Sequence, residues 1–181
     1  MSNLLQLEDE SKPTLNNEPS PAEIDQQTFA ERVKRGANWF YWIAGLSAVN
    51  SLAFMFGANF AFIAGLGFTL IADAVVDASI QQGAPAVLRA VAIIFDLILV
   101  IGLALLGYYG NKRYSWAFML GLTIYALDTL VVLALGDYLM ALFHGWAFYN
   151  LVRGFLACRQ LRALDLVAPA ESVLVPPPPS F

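Results

Sequence analysis

From Trp39 to Cys158 the chain is a succession of apolar runs broken only by short polar punctuation. A soluble helix of comparable length would carry a polar stripe at period 3.6, and a half-buried strand would alternate. These runs are apolar all round, which is the pattern of helices surrounded by lipid. The alternation of a membrane β-barrel is missing. The sequence therefore reads as all-α, a polytopic transmembrane helix bundle. Composition agrees: 59% of the 181 residues are hydrophobic and 13% are charged, well above the apolar share of an ordinary soluble domain.

Net charge is −4, but seven of the fourteen acids lie before Gly36. The apolar block itself is close to neutral. No basic patch with interleaved aromatics is present, so nucleic acid is not an expected partner. A single cysteine, Cys158, excludes an intramolecular disulfide and a thiolate zinc cluster. Residues 1–38 are polar and acidic where a cleavable signal would be basic and then apolar, so the first apolar run is expected to target the protein itself.

Four regions follow in order. Residues 1–19 lack periodicity, carry Glu8-Asp9-Glu10 and read as a disordered leader. Residues 20–38 open with Ser20-Pro21-Ala22-Glu23, a Ser N-cap, Pro in the first turn and Glu at N3, and read as an amphipathic surface helix. Residues 39–162 are the bundle, with apolar runs at 39–56, 60–82 and 86–109 and a hairpin of two more from Tyr114 to Arg153, joined at Gly136-Asp137. Residues 163–181, with Pro169 and Pro176–Pro179, read as a Pro-rich disordered tail.

Charge decides how many runs cross. With five spans, Arg32, Lys34, Arg35 and Arg89 lie on one side and Lys112, Arg113, Arg153, Arg159 and Arg162 on the other, four against five. If the 60–82 run dips in and returns, the balance becomes eight against one, which the positive-inside rule prefers. That run is also the most acidic, with only its first thirteen residues free of charge, where a span needs about 20. The expected architecture is four spans plus a re-entrant or outer-leaflet helix, with N- and C-termini cytoplasmic; five spans is the alternative.

Ionisable groups inside the apolar block are costly in lipid and mark candidate sites. Asp73, Asp96, Asp128 and His144 each come from a different run, and counting from the run ends places them at one depth. Asp77, Arg89, Asp137 and Asn50 flank them. Two explanations fit. The groups satisfy one another, with Arg89 paired to Asp77 or Asp96 and His144 donating to Asp128; or they form a proton or cation relay. If they are structural, Asp128→Asn should be tolerated. Enzyme chemistry has less support: HExxH and Glu-x-x-His are absent, no metal or other cofactor is expected, and Cys158 lies fourteen residues beyond His144 on the same run, about 21 Å along a helix.

Three stretches, GANWFYWIAGLSAVNS (36–51), FIAGLGFTLIAD (62–73) and WAFMLGLTIYALDTL (116–130), with FHGWAFYNLVRG after them, resemble a group of small bacterial multi-pass membrane proteins that carry no assigned function. The resemblance covers about residues 36–162 and implies a bacterial inner-membrane location; it assigns no residue a role. The expected function is a non-enzymatic accessory or structural subunit, in a homo-oligomer or larger membrane complex. A proton- or cation-coupled transporter is the alternative, and an intramembrane enzyme the third reading.

Overall fold

A computed structural model describes residues 20–56 and 66–174. The leader at 1–19 and the final prolines at 176–179 lie outside the described residues. Five helices follow in order: α1 Pro21–Met55, α2 Gly67–Gln81, α3 Val87–Asn111, α4 Ser115–Ala134 and α5 Tyr138–Leu174. Among the described residues there is no strand.

α1 starts in a reciprocal capping box. The Ser20 amide donates to Glu23 Oε2 at 2.7 Å, and the Glu23 amide donates to Ser20 Oγ at 3.3 Å. Those bonds hold the Glu23 carboxyl below its ordinary pKa. The helix then continues without a break through the expected boundary at residue 38. Val33, Ala37, Phe40, Ala44 and Ser47 recur at helical spacing and are all buried. One inward stripe thus crosses from the amphipathic segment into the apolar run, and tertiary packing keeps the two in a single helix.

α5 continues past residue 163 to Leu174, so its last turns take in residues grouped with the Pro-rich tail. Leu161-Arg162-Ala163-Leu164 are strong helix formers, and Arg113 reaches Asp165 at 3.9 Å across the bundle.

Inter-helix contacts set the topology. Gly110 of α3 packs on Ala37 near the start of α1, while Ser51 near the end of α1 bonds Asp96 early in α3; α1 and α3 are antiparallel. The sequence Gly36–Gly154 then Trp39–Trp146 makes α1 and α5 antiparallel too. α4 and α5 pair from Ser115–Cys158 to Asp128–His144. Four long helices therefore alternate in direction.

α2 differs. Its fifteen residues reach only about 22 Å at 1.5 Å per residue. It begins deep in the bundle, where the Leu66 amide donates to Ser47 Oγ at 2.8 Å, and ends at the α3 start, where Asp77 pairs with Arg89. A Schellman-type turn closes it: Ala84 N–H donates to Ser79 O and Gly83 N–H to Ile80 O, with Gly83 at φ 97°.

The same contacts collect the basic residues. Arg32, Lys34 and Arg35 of α1, Lys112 and Arg113 after α3, and Arg153, Arg159 and Arg162 of α5 lie toward one end of the bundle, and Arg89 at the other. Tyr109 packs against Tyr108, Tyr114 and Trp116 at the basic end.

Outward faces are aliphatic. Val91, Ile94, Ile98, Ile101 and Leu105 form an exposed stripe along α3, and Leu120, Leu127 and Leu130 are exposed on α4. Among the described residues, α3 and α4 are the two helices long and apolar enough to cross a membrane by length and composition. α1 and α5 are longer, but Ser47, Asn50 and Ser51 in one, and His144, Asn150 and Arg153 in the other, dilute their apolar character. Ser47, Asn50 and His144 face inward.

α1 and α5 touch backbone to backbone. A Cβ built on Gly36 would lie 2.5 Å from Gly154 Cα, and one on Gly154 would lie 2.7 Å from Gly36 Cα. Neither position admits a side chain without separating the helices. Gly36→Val or Gly154→Val is therefore expected to destabilise by at least the ~1–3 kcal/mol of an overpacked core. Gly45→Ala, with nothing within 4 Å of its Cβ, should be neutral or mildly stabilising. Thermal unfolding midpoints in mild detergent check the contrast; equal midpoints for all three variants would refute the close crossing.

Candidate functional site

Among the described residues the buried polar ones are Ser47, Asn50, Thr69, Asp73, Asp96, Asp128 and His144. The fold does not gather the four candidates Asp73, Asp96, Asp128 and His144 into one cluster. It divides them into two pairs.

The first pair is Asp128 and His144, both fully buried. The α4–α5 hairpin brings His144 Nε2 to 2.9 Å from Asp128 Oδ2. His144 Nδ1 lies 2.8 Å from the Met140 carbonyl one turn earlier. A carbonyl only accepts, so the network assigns a proton to Nδ1. One further proton is then shared between Nε2 and Oδ2, and the pair is net neutral whichever atom carries it. The Tyr125 ring stacks flat on the imidazole, with centroids 4.9 Å apart and planes 5° from parallel.

Asp128 has a second task. Its Oδ2 accepts from the Gly67 amide at 3.0 Å and its Oδ1 from the Phe68 amide at 2.9 Å. These are orphan donors at the start of α2, whose own N-cap residue, Leu66, supplies no side-chain cap. A carboxylate at a helix N-terminus also meets the positive end of the macrodipole. Asp128 thus caps, from α4, a helix that begins inside the bundle. Gly67 permits the approach: a Cβ there would lie 2.7 Å from Val132 Cγ2.

The second pair is Asp73 on α2 and Asp96 on α3, 6% and 3% exposed. Asp73 sits six residues beyond Gly67, about 9 Å along the helix, and so is out of reach of His144. Asp96 Oδ2 accepts from Ser51 Oγ at 2.6 Å. Asp96 Oδ1 and Asp73 Oδ2 are buried without a hydrogen-bond partner among the described residues. Ser51, Asp73, Val76, Arg89 and Asp96 line a cavity of about 20 Å³ between α1, α2 and α3.

The flanking residues serve local roles. Arg89 bonds Asp77 at 2.5 Å, and Asp77's other oxygen accepts from Gln81 Nε2 at 2.9 Å. Asp137 caps α5, accepting from the Met140 amide at 2.9 Å. Asn50 is buried on α1 one residue before Ser51. Ser51 and Tyr125 also belong to the site, and neither is among the ionisable residues that apolar surroundings mark as candidates. The signals were present: Ser51 lies one turn after Ser47, and Tyr125 lies three residues before Asp128, on the same helix face.

Among the described residues no group of three or more His, Cys, Asp or Glu side chains is placed to hold a metal ion. Comparison with protein-family models, with curated proteins and with solved structures finds no match.

Three donors converge on Asp128, which alters the expectation for Asp128→Asn. An amide offers one acceptor oxygen, and its NH2 would oppose either the Phe68 or the Gly67 amide. We expect Asp128→Asn to lose about 1–3 kcal/mol, the cost of leaving a buried donor unpaired, and Asp128→Leu about 3–5 kcal/mol, as when one member of a buried pair is removed. Unfolding midpoints in detergent should rank wild type, Asn, Leu. An Asn variant as stable as wild type would mean that Asp128 does not cap α2.

Proposed function

We propose that this chain is a multi-pass integral membrane protein that acts as a non-enzymatic accessory or structural subunit. α1, α3, α4 and α5 span the bilayer and α2 is re-entrant. The observation that carries the reading is the inversion of polarity: Asp73, Asp96, Asp128 and His144 are buried while leucine, isoleucine and valine cover the outside. Water would favour the reverse, and lipid favours this. The most apolar windows of α3 and α4 are only 28% and 33% buried, whereas a core helix of a soluble protein would be mostly covered.

The eight-to-one distribution of basic residues between the two ends supports a cytoplasmic basic end, with both termini there, and a bacterial inner-membrane location. The aromatic group around Tyr109 sits where an interfacial belt belongs. α2 supports the re-entrant assignment, since it starts at the depth of Ser47 and Asp128 and turns back at Gly83. Its buried N-terminus is covered by protein, the condition under which irregular backbone is tolerated at membrane depth.

The structural role is favoured over the relay for one pair. Both ring nitrogens of His144 and both oxygens of Asp128 are engaged in holding α2, α4 and α5 together. A bundle this narrow, apolar on its outer faces, is suited to a homo-oligomer or a larger membrane complex, in which those faces meet other helices. Cation-coupled transport is the second reading, favoured by the unpartnered oxygens of Asp73 and Asp96.

Reporter fusions after Phe181 and within the Gly110–Arg113 loop should both signal a cytoplasmic location, and a fusion at Gly83 the opposite side. An external signal from the first two would replace this arrangement by five spans. In mild detergent the protein should migrate as more than one copy or crosslink to a partner; a monodisperse monomer with no crosslinked partner would refute the subunit role.

A further inference from the structure

Three carboxylates and one guanidinium meet where α1, α2 and α3 converge. Arg89 is taken up by Asp77, whose second oxygen is filled by Gln81. That leaves Asp73 and Asp96, each more than nine-tenths buried and each holding one buried oxygen without a partner among the described residues. Both line the cavity of about 20 Å³. One water-sized particle needs about 10–15 Å³ of such space, so the cavity admits one.

Two facing carboxylates in surroundings of low polarity cannot both stay ionised without a positive charge between them. The hydroxyl of Ser51 gives its hydrogen to Asp96 Oδ2, which turns its lone pairs outward as a further oxygen ligand. The donor set is therefore all oxygen, hard and anionic. It is too small for calcium, which takes about six to eight oxygens.

We propose that Asp73, Asp96 and Ser51 form a binding site for one small monovalent cation, with Na+ as the probe ion. A proton shared between the two carboxyl groups competes with the cation for the same place. The neighbouring charged groups are Asp77 on α2 and Arg89 on α3, which neutralise each other. Ser51 and Asn50 are the polar neighbours on α1. The neutral Asp128–His144 pair of α4 and α5 lies about 9 Å further along α2. Cation binding here is separable from transport and from the number of spans, so its failure would leave the topology untouched.

A cavity of about 220 Å³ lined by Ala48, Ser51, Leu52, Ile93, Asp96 and Leu97 adjoins the site. It shares Ser51, Ile93 and Asp96 with the small cavity.

The test uses the full-length protein in mild detergent, with thermal unfolding followed in NaCl and in choline chloride at equal ionic strength. At pH 8 the midpoint should rise with Na+ and not with choline, as for any ligand that binds only the folded state. Below the pH at which the pair takes up its shared proton, each further unit of acidification should raise the Na+ concentration for half-maximal effect about tenfold, as for one competing proton. Asp73→Asn and Asp96→Asn keep volume and remove charge, and each should weaken the Na+ response about tenfold or more. Asp165→Asn, at the opposite end, should leave it unchanged. The wild-type arms decide the matter even if an Asn variant does not fold. Equal stabilisation by choline, stabilisation by acid alone with no Na+ response at pH 8, or a full Na+ response in both Asn variants would each overturn the site.

Discussion

The architecture depends on one carboxylate. Asp128 accepts the first two amides of α2 and the imidazole of His144, and so fastens three helices at a point fully removed from solvent. Its importance follows from where α2 begins. A helix N-terminus inside a bundle exposes donors and a positive dipole end to surroundings that cannot solvate them. Leu66 at the N-cap has no side chain to offer. The cap must come from elsewhere in the chain, and it must carry negative charge to answer the dipole. His144 completes the arrangement by leaving the pair neutral, with its second nitrogen bound to Met140.

This organisation gives similar residues opposite characters. Asp128 and Asp96 are both aspartates within apolar helices, and both are buried. Asp128 has donors on both oxygens. Asp96 has Ser51 on one, and its other oxygen faces no partner among the described residues. A saturated carboxylate behaves as a fastener, because any change in its proton occupancy disturbs its donors. An unsaturated one, beside a second like it, is where the proposed cation would sit. The difference arises from six residues of α2, which separate the capped end from Asp73 and so keep the two sites from merging.

The close approach of α1 and α5 at Gly36 and Gly154 sets the remaining geometry. It draws Phe40 over Gly121 and into the buried cluster with Phe118, Tyr125 and Leu151. In the proposed bilayer setting lipid would provide no hydrophobic drive for helices to associate, and small residues that admit backbone contact, with polar groups that bridge, would take over that role. Both devices are present: glycine crossings toward the basic end, and the Ser47, Asp128 and His144 bonds deeper in the bundle.

The sequence by itself determined the helical class, the positions of the apolar runs to within a few residues, and the identity of the buried ionisable groups, because apolar length and isolated charge are local properties. It also marked the 60–82 run as the odd one, since that run is short and acidic. Only the tertiary structure decided that 20–38 and 39–56 form one helix, since the continuity depends on a buried stripe that α3 and α5 cover. It alone decided how the ionisable residues pair. Counting depth from helix ends placed Asp73, Asp96, Asp128 and His144 at one level, but depth is a single coordinate. Which side chains meet depends on rotation about each helix axis and on where α2 starts, and both are set by contacts between residues far apart in the chain, Gly67 and Asp128 being 61 apart. Asp128 as the cap of a distant helix, and Ser51 as the partner of Asp96, were legible only there.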